Sequence, residues 1–222
     1  MLENAAAGKQ ALLIFFPGES EEQQGDGYLA GKDYKDLDGR LAQFVRVPYT
    51  TDREAAPCAD SIVPTSKILS DNPTRDYNVK AYPTFIIADS YGNEVFRLSG
   101  KKPLAKELED YFNKVSSKVE DTQKKLQKNL DEAKKAWESK DAAKAMKAIR
   151  TNFKDGVVGL DAQNETIRVY HEIVESTRSE ISTLAADGSA DAVKKLKAMK
   201  ATFKGTEVEK NIDEALKASA AK

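Results

Sequence analysis

Residues 77–93 read Tyr-Asn-Val-Lys-Ala-Tyr-Pro-Thr-Phe-Ile-Ile-Ala-Asp-Ser-Tyr-Gly-Asn. Within them, residues 84–88 form a short apolar run with aromatic and β-branched members, a pattern typical of a buried strand. Gly92 supplies a turn, and residues 95–98 resume the pattern, so the sequence predicts a β-hairpin. Pro83 stands at the start of the first strand, one of the few places where a sheet accepts proline.

This stretch resembles the thioredoxin superfamily. In that superfamily a tyrosine and an aliphatic residue, here Tyr77 and Val79, precede a cis-proline, which is followed by a threonine, a strand, a glycine turn and the last strand. The resemblance covers roughly residues 9–111. It implies a cis peptide bond between Tyr82 and Pro83. It also implies an α/β thioredoxin-like domain over residues 9–115, with a mixed sheet and helices on both faces.

An apolar run at residues 11–16 predicts a central buried strand, which Pro17 and Gly18 end. In thioredoxins a Cys-x-x-Cys pair follows this strand at a helix N-terminus, where the helix dipole lowers the thiol pKa. Ser20 and Gln23 occupy the two cysteine positions here, and neither can form a disulfide. Their spacing instead matches a capping box. The sequence therefore predicts that the helix start is retained without the dithiol chemistry.

Three carboxylates, Glu19, Glu21 and Glu22, surround this helix start. They suggest either an acid–base or metal site, or solvated residues that match the helix dipole. The second interpretation is favoured, because acidic residues are common in the first turn of a helix. We therefore predict no catalytic residue, no metal site and no cofactor.

The residue types best suited to catalysis or metal binding are scarce. Cys58 is the only cysteine, so no intramolecular disulfide can form, and it is either a reactive thiol or an incidental, partly buried residue. We favour the second alternative, because no basic residue is close to Cys58 in sequence. His171 is the only histidine and is predicted to be a surface or boundary residue, while the single tryptophan, Trp137, is predicted to lie in the core.

Three further elements are expected in the N-terminal domain. Asp33 is expected to cap a short helix that runs to about Arg40, and residues 44–47 are predicted to form a strand. Residues 62–69 are predicted to contain a helix that ends before Pro73, because the residue before a proline disfavours helical geometry.

No proline follows Pro103, and helix-forming residues dominate from there to the end. Apolar residues recur at three- and four-residue intervals from Leu104, which predicts one amphipathic helix of about 50 Å or two in line, with a possible break at residues 117–120. The members of this stripe are Leu104, Leu108, Tyr111, Phe112, Val115, Val119, Leu126, Leu130, Ala133 and Trp137.

An internal repeat lies further on. Residues 141–154 align without gaps with residues 191–204, and Gly156 and Gly205 follow the two units. A capping box that begins at Thr206 predicts a further helix. Small residues, a glycine turn and a second helix resemble tetratricopeptide hairpins. We therefore predict an all-α, helical-hairpin, repeat-like domain over residues 116–222.

Charge and composition exclude some partners. Of 222 residues, 35 are Lys or Arg and 36 are Asp or Glu, which leaves a formal charge of -1. Met1–Lys102 carries 12 basic and 15 acidic residues, so neither half is polybasic. We expect a soluble protein with no nucleic-acid or membrane partner. Its compartment stays open, either periplasmic or secreted after signal removal, or cytoplasmic, and so does its oligomeric state.

The favoured interpretation is a redox-inactive thioredoxin-like protein that acts as a protein-binding, scaffold or chaperone-like module. In thioredoxins the backbone beside the cis-proline pairs with an extended segment of the partner, so the resemblance implies a peptide groove. Its predicted residues are Phe16, Pro17, Ser20, Tyr82 and Pro83. The alternative is a thiol-dependent enzyme, either a one-cysteine oxidoreductase that uses Cys58 or a glutathione-transferase-like protein in which Ser20 activates the thiol.

Overall fold

The computed structural model describes residues 10–52, 54 and 61–220. These residues form two compact units. The sheet unit lies within Met1–Pro57 and Thr65–Thr122, and the helical unit lies within Cys58–Pro64 and Gln123–Lys222. In the described part of the chain, no helix is both long and apolar enough to cross a membrane.

Four strands form the mixed sheet of the sheet unit. They are β1 (Ala11–Phe16), β2 (Ala42–Arg46), β3 (Thr84–Ala88) and β4 (Glu94–Ser99), in the order β2-β1-β3-β4. β1 runs parallel to β2 and antiparallel to β3, and β3 pairs antiparallel with β4. The predicted central strand and the predicted hairpin are confirmed. The strand predicted at residues 44–47 begins two residues earlier, because the fully buried Ala42 pairs with Ala11.

The two central strands are buried along their whole length, because both faces of the sheet are covered. Alternate side chains of β1 and β3 point to opposite faces, so each strand contributes to two apolar clusters. One cluster joins Leu13, Phe15, Phe85 and Ile87 to Tyr28 and to Leu108, Phe112 and Val115. The other joins Leu12, Ile14, Phe16, Ile86 and Ala88 to Val47, Tyr77 and Val79. Full burial of each large apolar side chain contributes about 1.5–3 kcal/mol, so these two strands anchor the unit.

Three short helices follow β1: α1 (Glu21–Gln24), a 3₁₀-helix (Asp26–Leu29) and α2 (Lys32–Lys35). Arg46, at the end of β2, donates hydrogen bonds to the carbonyl oxygens of Gln23, Gln24 and Gly25. A basic side chain at this point satisfies carbonyl groups that a helix C-terminus leaves unpaired. Arg46 therefore fastens the end of α1 to the sheet.

Two helix predictions in this unit are wrong. Asp33 does not cap a helix to Arg40, since it lies in the first turn of α2, where the dipole also favours an acidic residue. Residues 62–69 contain no helix; α3 (Pro73–Asp76) begins after them. The Asn72 side chain accepts a hydrogen bond from the Arg75 amide at 3.0 Å. Pro73 takes the first helical position, where its missing N–H has no cost.

The turn between β3 and β4 depends on a glycine and a buried acid. Gly92 has a φ of 84°, and a Cβ there would lie 2.7 Å from a side-chain carbon of Ile68. Asp89 is only 4% exposed, and its carboxylate accepts hydrogen bonds from the backbone and side-chain amides of Asn93 and from the Tyr91 amide. Burial raises the pKa of Asp89, although these hydrogen bonds oppose the shift.

Ala105–Glu138 forms a single long helix, α4, without a break at residues 117–120. The two units divide between Thr122 and Gln123, inside this helix. The domain boundary after residue 115 stays a prediction. Leu104 was expected in the buried stripe but precedes the helix and is 73% exposed.

Four further helices complete the helical unit: α5 (Ala142–Phe153), α6 (Asp161–Asp187), α7 (Ala190–Thr202) and α8 (Glu209–Ala220). The two repeat units correspond to α5 and α7. Phe153 and Phe203 are buried at equivalent positions, and Gly156 and Gly205 both adopt a positive φ. Both repeat helices end near a buried phenylalanine and a left-handed glycine, but Phe153 is the last residue of α5 whereas Phe203 follows the last residue of α7.

The beginnings of the repeat helices differ more than their ends. Asp141 caps α5 by accepting a hydrogen bond from the Lys144 amide, whereas Ser189 caps α7, so the equivalent aspartate, Asp191, lies inside the first turn. The capping box predicted at Thr206 is wrong, because its hydroxyl donates to the carbonyl of Phe203. Trp137 is half-buried, so its place in the predicted apolar stripe is only partly realised.

A polar network lies inside the helical unit. Asn152 is 1% exposed, and its amide nitrogen donates hydrogen bonds to the Leu126 carbonyl and to the Thr166 hydroxyl, both at 2.9 Å. Its side-chain oxygen accepts a hydrogen bond from Asn129 at 2.8 Å. Gln163 donates to the Asn152 carbonyl at 3.3 Å, but its own side-chain oxygen is buried without a described partner. The network links α4, α5 and α6.

Candidate functional site

The loop between β1 and α1 is held by the side chains of α1. The Ser20 hydroxyl accepts a hydrogen bond from the Gln23 amide at 3.3 Å, as the capping pattern predicts. The Gln23 side-chain oxygen accepts from the Gly18 amide at 2.7 Å. Gln24 donates to the carbonyls of Gly18, at 3.1 Å, and Glu19, at 2.9 Å. The polar side chains of α1 and its cap therefore fix the loop in place.

Gly18 brings this loop against Tyr82. A Cβ at Gly18 would lie 3.2 Å from the Cβ of Tyr82 and 2.7 Å from the Gln23 side-chain oxygen. A larger residue at this position would push the loop away from Tyr82. The Tyr82–Pro83 peptide bond is cis.

Tyr49 and Glu19 complete the surface beside Tyr82. The rings of Tyr49 and Tyr82 meet edge to face with their centroids 5.4 Å apart. The Tyr49 hydroxyl donates a hydrogen bond to the Glu19 carboxylate at 2.7 Å. Glu19, Tyr49 and Tyr82 are called the tyrosine patch below, and Gly18, which contacts Tyr82, is itself buried.

Tyr49 was not among the predicted site residues. It follows β2 in sequence, and Gly18 follows β1. The carboxyl ends of parallel strands meet at the same edge of a sheet, where α/β proteins commonly place their sites. The parallel pairing of β1 and β2 was the signal that could have identified Tyr49.

The five predicted groove residues differ in exposure. Phe16 is only 1% exposed, and its ring packs edge-on against Tyr77 with the centroids 5.8 Å apart, so its side chain belongs to the core. Pro17 and Pro83 are also buried, whereas Ser20 is exposed and Tyr82 is half-buried. Ser20 and Tyr82 are therefore the two of these residues whose side chains reach the surface.

The other candidate residues do not assemble into a chemical site. Glu19, Glu21 and Glu22 are exposed, and the described residues contain no group of three or more His, Cys, Asp or Glu side chains placed to hold a metal. The predictions about Cys58 fall outside the described residues. His171 is exposed, as predicted.

Glu165 and Tyr170, both in α6, have strongly shifted pKa values. Hydrogen bonds from Arg168 and Lys134 lower the pKa of Glu165 to about 2. Burial, followed by the neighbouring Glu207 carboxylate, raises the pKa of Tyr170, whose hydroxyl donates a hydrogen bond to that carboxylate. Both arrangements join α6 to neighbouring segments of the helical unit, and we assign them to its stability.

Comparison of the chain with protein-family models, with curated proteins and with solved structures found no match.

Proposed function

We propose that the sheet unit is a thioredoxin-like domain without redox activity and that the chain is a protein-binding module. The order β2-β1-β3-β4, with one parallel and two antiparallel pairings, is compatible with such a domain. The helical unit adds a second surface to the same chain. Scaffold and chaperone-like roles both require such binding surfaces.

The observation that carries this proposal is the hydrogen bonding of the loop after β1. Ser20 and Gln23 occupy the cysteine positions implied by the resemblance, and both side chains hold backbone amides. Dithiol–disulfide exchange needs an attacking and a resolving thiol, and the chain has one cysteine. The loop after β1 is ordered and begins a helix, but it lacks the two thiols that the exchange reaction needs. This combination favours binding over catalysis.

The tyrosine patch is the proposed contact surface. Tyrosine side chains supply a large, rigid contact area with a polar end, which is why they are enriched in protein interfaces. Three exposed carboxylates, those of Glu19, Glu21 and Glu22, lie in or beside the patch in sequence. Their charge favours an extended peptide with neutral or basic side chains over an acidic one.

The binding proposal is tested with peptides selected from a random library on the full chain. Selected peptides should shift the NMR signals of Gly18 and of residues around Tyr49 and Tyr82. Tyr82→Ala should weaken their binding by about tenfold, since a buried interface tyrosine commonly contributes more than 1 kcal/mol. Tyr91→Ala, in the turn of the same unit, is the matched control, because Tyr91 is also partly exposed. Equal losses for the two variants would contradict the proposal.

The absence of redox activity is tested by insulin reduction in the presence of dithiothreitol. We expect the chain and its Cys58→Ser variant to give the same rate as buffer, because no second thiol is present to resolve a mixed disulfide. A rate for the chain above that of Cys58→Ser would exclude a redox-inactive protein and favour the thiol-dependent alternative.

A further inference from the structure

Charge in the helical unit is unevenly divided among the helices. Residues 141–155 and 190–204, which contain α5 and α7, together carry nine basic and three acidic residues. The helix α6, by contrast, carries two basic and six acidic residues. The formal charge of -1 for the whole chain therefore conceals a strongly basic pair of helices.

A concavity of about 500 Å³ lies between these two basic helices. It is called the basic groove, and it is lined by Ala143, Met146, Lys147, Arg150, Thr151, Lys154, Ala201 and Thr202. Three of these side chains are cationic and none is acidic. Ala143 and Ala201 are exposed and give the groove an apolar floor, whereas Met146 is only 1% exposed. Lys197 and Lys194 precede Ala201 by one and two helical turns, so they share its face of α7.

The cationic side chains of the groove differ in whether they already have partners within the chain. Arg150 donates hydrogen bonds to the carbonyls of Thr202, at 3.3 Å, and Lys204, at 2.7 Å, and so closes the C-terminus of α7. Lys147 and Lys154 are exposed and make no salt bridge with any residue that the structure describes. Arg150 is therefore structural, while the two lysines have charge available for a partner.

We propose that the basic groove binds an acidic segment of a partner protein that also carries apolar side chains. Carboxylates of the segment would contact Lys147 and Lys154, and an apolar side chain would pack against the exposed Ala143 and Ala201. Charge complementarity of this kind determines which partner is chosen and accelerates encounter. The apolar floor adds contact area that a purely electrostatic surface lacks.

Nucleic acid fits this groove less well than an acidic peptide. Single-stranded nucleic acid binds through aromatic side chains on which bases stack, together with a basic channel. The aromatic rings of these two helical segments, Phe153 and Phe203, are 7% and 2% exposed. An apolar floor without stacking rings favours aliphatic side chains.

A neighbouring concavity on the other side of α5 has a different character. Its volume is about 480 Å³, and its lining includes Glu132 and Asp141 together with Lys144 and Lys147. Mixed charge gives it no preference for an anion. The proposal therefore concerns only the side of α5 that faces α7.

The test measures fluorescence anisotropy of the full chain with a fluorescein-labelled peptide in which pairs of glutamates alternate with single leucines. We expect binding that weakens as salt is added, because exposed charge pairs are screened. The double variant Lys147→Glu and Lys154→Glu should weaken binding by about tenfold or more, since like charges then face each other. Lys135→Glu with Lys217→Glu is the matched control and should bind as the unmodified chain does. Circular dichroism checks that both double variants are folded.

Three additional measurements separate the possible occupants. A peptide with glutamine in place of glutamate and one with serine in place of leucine should both bind more weakly. Oligouridylate that binds as tightly as the acidic peptide would overturn the proposal in favour of RNA. If the unmodified chain self-associates and the double variant of Lys147 and Lys154 does not, the groove binds a second copy of the chain and the proposal is overturned. The outcome is independent of the Tyr82→Ala test, because the two sets of variants lie in different units.

Discussion

The cores of the two units differ in chemistry. The sheet unit has two apolar clusters, one on each face of β1 and β3, and its buried acid Asp89 lies in a turn beyond the end of β3. The interior of the helical unit instead contains a hydrogen-bonded group centred on Asn152. Apolar side chains pack without directional partners, whereas a buried polar side chain is stable only when its hydrogen-bond partners are correctly placed. The helical unit should therefore be the more sensitive to changes of polar residues.

The largest expected effect is common to both cores. Phe85→Ala in the sheet unit and Phe203→Ala in the helical unit should each lower the free energy of unfolding by about 3–5 kcal/mol, because both rings are almost fully buried. The single tryptophan, Trp137, lies in the helical unit, so its fluorescence reports on that unit during denaturation. Phe203→Ala should move the fluorescence transition to lower denaturant. An unchanged transition would show that Phe203 is not a core residue.

The second effect distinguishes the cores. Asn152→Leu should lower the free energy of unfolding by about 1–3 kcal/mol, because it removes an amide that donates to Leu126 and Thr166. Asn164→Leu is the control, since Asn164 is an exposed asparagine of α6. Urea unfolding followed by Trp137 fluorescence measures both variants. Equal effects would mean that the internal network adds no stability.

The third effect concerns the buried acid of the sheet unit. Asp89→Asn removes the acceptor for the Asn93 side chain and should cost about 1 kcal/mol. Burial raises the pKa of Asp89 in the folded protein above the ordinary value of 3.8 for an aspartate, so protonation stabilises the fold. That stabilisation is complete below pH 3.8 and is lost as the pH rises through the folded pKa.

The advantage of the unmodified chain over Asp89→Asn should consequently shrink as the pH rises from 3.8 towards neutrality. Urea unfolding followed by circular dichroism at several pH values measures this difference. Parallel stability profiles for the two proteins would exclude a raised pKa for Asp89.

The smallest effect should have the opposite sign. The side-chain oxygen of Gln163 is buried without a described partner, and its nitrogen donates a hydrogen bond of 3.3 Å to the Asn152 carbonyl. Gln163→Met keeps the unbranched shape and removes the unpaired oxygen, so it should change stability by less than about 1 kcal/mol, towards a more stable unit. Thermal unfolding of Gln163→Met and of Asn152→Leu, each measured against the unmodified chain, compares the two changes in stability. A loss as large as that of Asn152→Leu would show that Gln163 is fully hydrogen-bonded in solution.

Local sequence determined the strands β1 and β3, the turn at Gly92, the continuous run of helix formers and the offset of the repeat. Each of these depends on neighbours within a few positions: an apolar run, a glycine with positive φ, or a spacing of three and four residues. The helix signal at Asn72-Pro73 was misinterpreted because proline is compatible both with the end of one helix and with the first position of the next.

Only the tertiary structure decided the two candidate binding surfaces. Tyr49 meets Tyr82 because β1 and β2 pair in parallel while β1 and β3 pair in the opposite direction, and the sequence does not record which strands become neighbours. The same limit applies to the basic groove, whose lining comes from the segments of α5 and α7, two helices separated in sequence by the acidic α6. Charge summed along a chain cancels, while charge on a surface depends on which faces are exposed together. The residue types were determined by the sequence, and their proximity was determined by the packing of distant segments.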